Sequence, residues 1–189
     1  FVMQAPTGAG KTVIAARLAV QAIQQNLIVV CAAHRIELLS QLRSKLLDAG
    51  LPEEKVRTHG LRESGARTAP VHLGSVTTLY RAAPREARLI LIDEAHRAAS
   101  PTYMKLAERY PDATIIGLTA TPERLDGRAL DMFEEILVVA QPSEMVARGY
   151  IVEPITWSSA ASTPELDALP RSMGDFSMTA ASKALNQPR

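Results

Sequence analysis

Cysteine is nearly absent from this chain. The single one among 189 residues, Cys31, lies inside the apolar run Leu27 to Ala33, where it reads as a small core residue rather than a nucleophile or a metal ligand. Long hydrophobic runs are missing as well. None approaches the ~20 residues that a membrane helix needs, so no membrane partner is expected. There is no signal-peptide pattern, which makes a cytoplasmic location the expectation, and no internal repeat. Net charge is slight, +1 overall, but it is unevenly spread: residues 1–92 hold 12 Lys/Arg against 6 Asp/Glu, and residues 93–189 hold 9 against 14. Halves of +6 and −5 are compatible with a nucleic-acid-facing surface in the first half, and equally with solvated arginines on helix faces.

What remains is the composition of an ordinary globular protein, 47% apolar and 22% charged, long enough for one well-buried domain and a tail. The chain opens at Phe1-Val2-Met3-Gln4, inside what should be a strand, and ends at Arg189 without a closing structural signal. It is expected to be a fragment cut at both ends.

Strand, turn and helix alternate along the sequence. Phe1–Gln4, the continuous apolar run from Leu27, Val71–Gly74, Leu89–Ile92, Thr114–Leu118 and Ile136–Val139 read as strands. Helical spacing marks Lys11–Gln25, Ile36–Ala49 (closed by Gly50 and Pro52) and Val76–Ala82 (ended by Pro84), with helical turns expected after Ile92. Ser100-Pro101 should start a further helix, the serine as cap, running to about Tyr110 before Pro111. Such alternation without hairpin signals predicts an α/β fold, a mostly parallel sheet covered by helices on both faces, with ligands at the carboxyl ends of the strands. From about Ser158 the pattern dissolves into a linker-like stretch, with one short helix expected over Met178–Asn186.

Two strings carry the chemistry. Ala5-Pro6-Thr7-Gly8-Ala9-Gly10-Lys11-Thr12 is a glycine-rich turn between a strand and a helix. Gly8 and Gly10 let the main chain approach a triphosphate, and the helix behind points its positive end at the phosphates. Lys11 would reach the β- and γ-phosphates, and the Thr12 hydroxyl would ligate Mg²⁺. Asp93-Glu94-Ala95-His96 ends a β-type run. There Asp93 would hold Mg²⁺ directly or through water, and Glu94 would polarise the attacking water. His96 alone would be a capping or packing histidine; beside the two carboxylates it is a candidate for coupling between sites. Thr119-Ala120-Thr121-Pro122 ends another strand, where the Thr119 and Thr121 hydroxyls could bond toward the carboxylates; standing alone the string would be a threonine-rich turn.

Ala5–Thr12, Asp93–His96 and Thr119–Thr121 together resemble motifs I, II and III of superfamily 2 DEAH-type helicases and translocases, in which alanine is a usual opening residue of the phosphate loop. Ala33–Gln41 looks like motif Ia, and Ser75-Val76-Thr77-Thr78-Leu79 looks like the next block, with Thr77 where that family usually has glutamine. Gly117–Gly127 and Ala147–Pro154 resemble the branch that holds restriction-enzyme motor subunits and RadD-type DNA-repair helicases, and Gly174-Asp175-Phe176 resembles its connector to a second motor domain.

The resemblance implies a RecA-like P-loop NTPase domain over residues 1–157, a three-layer sandwich, followed by a linker over 158–189. It implies ATP and Mg²⁺ as cofactors, and nucleic acid as partner, DNA over RNA. Arg35 and Thr78 would touch the nucleic-acid backbone without reading sequence. It also implies a second RecA-like domain that supplies an arginine finger, and an upstream glutamine-bearing segment that reads adenine, neither with a counterpart in these residues. The fragment alone is therefore expected to bind nucleotide weakly and hydrolyse it poorly. Three readings stay open: a DNA helicase or translocase, the motor of a restriction system, and a nucleotide-dependent binding switch. A transporter-type ATPase would carry a Leu-Ser-Gly-Gly-Gln signature, which this sequence lacks.

Overall fold

Runs such as Val29-Val30-Cys31-Ala32 and Leu89-Ile90-Leu91-Ile92 have no polar alternation, so each strand they form must be covered on both faces. The computed structural model describes residues 1–60, 64–98, 100–121, 132–153 and 155, with the backbone of 171–172 and 175–176. Its strands are β1 (Val2–Gln4), β2 (Ile28–Ala32), β3 (Val56–Thr58), β4 (Val71–Gly74), β5 (Ala87–Asp93), β6 (Thr114–Thr119) and β7 (Ile136–Val138). They form one sheet in the order β3-β4-β2-β5-β6-β1-β7, and every pairing in it is parallel. The expectation of a mostly parallel sheet is thus exceeded.

Helices α1 (Lys11–Gln24) and α2 (Ile36–Asp48) cover one face, packing Ala15, Ala19, Leu42 and Leu46 on Val29, Cys31, Leu73 and Leu91. Helices α3 (Val76–Ala82) and α4 (Pro101–Arg109) cover the other, packing Leu79, Tyr103 and Leu106 on Val30, Ile90 and Ile92. Consecutive residues of β2 and β5 therefore feed opposite cores, as strand geometry requires. Each such leucine or isoleucine contributes roughly 1.5–3 kcal/mol by leaving water. Cys31 is buried in the first core, which pushes its thiol up to about 12 and leaves it inert, in line with the sequence reading.

Ser100 precedes α4 in extended conformation, yet its side chain makes no cap bond; proline in the first turn is what starts the helix. The turns expected after Ile92 appear as a 3-10 turn over Ala95–Arg97. Two elements go beyond the sequence reading, the edge strand β3 and a short helix α5 (Pro142–Ala147). Arg171–Ser172 and Asp175–Phe176 pair antiparallel as β8 and β9 inside the stretch read as linker. Residues 122–127, 158–164 and 178–186, which carried parts of the family pattern, the linker and the expected last helix, lie outside the described residues. Among the described residues no helix is long and apolar enough to cross a membrane.

Candidate nucleotide site at the carboxyl edge of the sheet

Because all seven strands are parallel, their carboxyl ends share one edge, and every residue singled out from the sequence falls on it. Along that edge stand Ser75–Thr78 after β4, His34-Arg35 after β2, Asp93–His96 after β5, Thr119–Thr121 after β6 and Ala5–Thr12 after β1. β6 lies between the strand carrying the glycine-rich loop and the strand carrying the carboxylates.

The loop turns as the glycines predict. Gly8 (φ 86°) and Gly10 (φ 80°) occupy the left-handed region, where a Cβ is strained. Pro6 accepts from the Ala9 N–H (3.1 Å), and Gly10 accepts from Val13 (2.8 Å) and Ile14 (3.0 Å) to start α1. No acidic residue sits in the first turn of α1, so its positive end is uncompensated. Ala5 and Pro6 are buried while Thr7 and Gly8 are exposed, so the loop is anchored at its base and open at its crest. The Lys11 ammonium folds back on the base, donating to the carbonyls of Ala5 (3.0 Å) and Pro6 (3.2 Å). A phosphate bound in the loop would take that ammonium from its two carbonyls.

Thr12 and Asp93 line the same small void, about 20 Å³, whose other walls are alanines and leucines of α1, α2 and the sheet. A threonine hydroxyl and an aspartate carboxylate are the hard oxygen donors that Mg²⁺ takes along with phosphate oxygens and water. Burial pushes the Asp93 carboxyl above its usual range, while the Glu94 N–H it accepts (3.0 Å) and the nearby Lys11 charge pull the other way. A divalent cation would reverse that rise.

Glu94 is one of two non-glycine residues with positive φ among the described residues (φ 52°, ψ 52°). That conformation turns its carboxylate toward His96, whose Nδ1 lies 3.3 Å from Glu94 Oε2. The same Nδ1 is 3.3 Å from Thr119 Oγ1. Thr119 Oγ1 also donates to the Thr121 carbonyl (2.9 Å) and accepts from the Thr121 N–H (3.2 Å). His96 Nδ1 thus lies within 3.3 Å of both the Glu94 carboxylate and the Thr119 hydroxyl, and the tautomer of the ring sets which group donates. Thr119 O in turn accepts from the Ala5 N–H (3.0 Å). One residue of β6 thereby touches both the base of the phosphate loop and the carboxylate turn.

Arg35 and Thr78 stand at the other end of the edge. The strands that lead to them, β2 and β4, pair, and the Ala33 N–H donates to Gly74 O (3.2 Å). Arg35 is exposed, donates from Nε to His34 Nε2 (3.2 Å), and with His34, Leu38, Glu94 and His96 lines a cleft of about 290 Å³. Thr78 lies inside α3 and is not its cap. Ser75 is, accepting the Thr78 N–H (3.3 Å) and bonding both threonine hydroxyls, Thr77 at 3.1 Å and Thr78 at 2.8 Å. His34 was not singled out by the sequence reading, although its place directly after a buried strand was the available signal.

The sequence profile of the type III restriction enzyme res subunit matches residues 1–124. The chain belongs to that family. The chain is similar to IRC3, a proposed ATP-dependent helicase of Saccharomyces cerevisiae, 29% identical over 199 residues that cover 95% of this chain and 29% of IRC3. A 51.5 kDa protein of a Lactococcus phage is 25% identical over 185 residues, covering 98% of this chain and 38% of that protein. The chain thus spans about a third of the length of these relatives. Among solved structures, the Hef helicase domain of Pyrococcus furiosus superposes with a TM-score of 0.63 at 26% identity, over 78% of this chain and 36% of that one. The UvsW helicase of bacteriophage T4 gives a TM-score of 0.64 at 21% identity, over 72% and 53%, a likeness of fold. The fold of this res-subunit relative is therefore the RecA-like domain of ATP-dependent helicases.

Proposed function

We propose that this chain is the first motor domain of an ATP-dependent DNA helicase or translocase, hydrolysing ATP with Mg²⁺. The observation that carries the reading is the Thr119 junction, which ties the phosphate loop to the Glu94–His96 turn. In this reading Lys11 leaves the carbonyls of Ala5 and Pro6 for the terminal phosphates. Thr12 and Asp93 hold the cation, which when bound neutralises phosphate charge. Glu94 orients and deprotonates the attacking water. His96, Thr119 and Thr121 pass the resulting change along the sheet edge to the cleft lined by His34 and Arg35. Arg35 and Thr78 hold a DNA backbone there without reading bases.

A second RecA-like domain would complete the cycle by stabilising transition-state charge, and the length of the relatives beyond this chain leaves room for one. In that arrangement residues 1–157 are the motor domain and 158–189 lead away from it. The match to the res subunit favours a second reading, a restriction motor that translocates duplex without strand separation.

The test is ATP turnover by the full-length protein with single-stranded DNA, duplex DNA or RNA, with Lys11→Ala and Glu94→Gln as controls. Stimulation by DNA that both variants lose supports a DNA motor, and stimulation by duplex alone favours the restriction motor. Tight ATP binding with negligible turnover on any nucleic acid overturns both in favour of a switch.

A further inference from the structure

The order of the sheet gives the phosphate loop two unlike sides. On one side of β1 lies β6 and then β5, with Asp93 and Glu94; on the other lies β7. A triphosphate laid across the loop with its terminal phosphate toward Thr12, Asp93 and Glu94 would have β7 on the side of its nucleoside. What the chain builds there is the segment Ala147–Glu153, part of a stretch conspicuous in the sequence and given no role by the chemistry above. Pairing of β7 with β1 runs on to the foot of the loop, the Val139 N–H donating to Gln4 O (2.9 Å). Helix α5 follows, and its end is turned by Gly149 (φ 73°), with the N–H groups of Tyr150 (2.9 Å) and Ile151 (3.4 Å) both reaching Met145 O.

This turn brings Ile151 over the crest of the loop, its Cγ2 3.4 Å from where a Cβ on Gly8 would stand. The residue before it, Tyr150, is a large aromatic left 69% exposed. We propose that the Gly149-Tyr150-Ile151 turn is the nucleoside-side wall of the site, Ile151 steadying the loop at Gly8 and Tyr150 offering its ring to the purine base. The inference rests on the nucleotide reading of the loop and adds to it the residue that senses the base. An exposed aromatic binds a base by stacking, which is indifferent to the phosphate chain and sensitive to loss of the ring.

The experiment is calorimetric titration of the full-length protein with ATP and with inorganic tripolyphosphate, both with Mg²⁺. Tyr150→Ala should weaken ATP about tenfold and leave tripolyphosphate within about twofold, while Tyr150→Phe keeps both. Equal losses for the two ligands, or no loss of ATP affinity, overturn the proposal. Lys11→Ala separates the two levels of argument, because it should weaken both ligands. If it weakens neither, the nucleotide reading of the loop fails, and the wall with it.

Discussion

His96 Nδ1 stands 3.3 Å from Thr119 Oγ1, a contact across 23 residues of sequence between the carboxylate turn and the strand next to the phosphate loop. Thr119 is fully buried, so its hydroxyl has no water to fall back on. Thr119→Val should keep ATP binding but lower nucleic-acid-stimulated turnover by about tenfold, the worth of one buried hydrogen bond in a transition state. Thr119→Ser should restore it. Steady-state turnover with and without DNA checks both.

The acidic pair is held at a cost to the fold. Asp93 has its pKa raised chiefly by burial, so its charged form is disfavoured in the native state and stability declines as pH climbs through that raised value. Glu94 sits in the left-handed region, strained for a residue with a side chain. Asp93→Asn and Glu94→Gly should each stabilise by about 1 kcal/mol while abolishing turnover. Urea midpoints near neutral pH read the first effect, and ATPase assays the second.

Gly117 in β6 lets that strand meet the carboxylate turn. A Cβ added there would stand 2.6 Å from Ala95 Cβ and 2.7 Å from Phe133 Cζ. Gly117→Ala should cost roughly 2 kcal/mol of stability and displace the turn that aims Glu94. Ala95→Gly in the same chain should recover part of the loss, measurable as a double-mutant cycle by denaturation.

Away from the edge, His59 Nε2 and His72 Nδ1 approach to 2.7 Å in a buried, stacked pair. Burial and the neighbouring His59 lower the His72 pKa to about 4, with Arg57 adding to the fall and the hydrogen bond at the Ala69 backbone opposing it. Unfolded, the same ring takes a proton near 6.5, so the unfolded state binds more protons between about 6.5 and 4 and stability drops as pH falls through that window. The loss should be on the order of 2 kcal/mol, and His72→Gln should flatten it in urea titrations across that range.

Much of this was legible in the sequence, for identifiable reasons. Strands β2 and β5 announced themselves because burial on both faces removes every polar residue from their centres. The phosphate loop was legible because two glycines at fixed spacing before Lys11-Thr12 have few other uses. β3 escaped because it has three residues, follows the charged run Glu53-Glu54-Lys55, and buries only Val56. α5 escaped because it buries no residue and so leaves no helical apolar period, and because Gln141, whose N–H donates to Glu144 (3.3 Å), stands where a serine or threonine would have signalled a cap. At the site, residue identities were visible and couplings were not. Neither the left-handed Glu94, nor His96 standing between Glu94 and Thr119, nor Ile151 above Gly8 follows from any spacing, since each depends on which strands lie side by side.

The strand order also fixes when the site can come into being during synthesis. Val2 pairs with Gly117 on one side and with Ile136 on the other. β1 must therefore wait for both partners to be made, roughly ten seconds at about 10 residues per second, while β2, β4 and β5 can already be zipping together. The phosphate loop, hung between β1 and α1, is translated before β2 to β7 and is among the last of these elements to take shape. A nascent chain could thus join β3, β4, β2, β5 and β6 before it could hold a nucleotide.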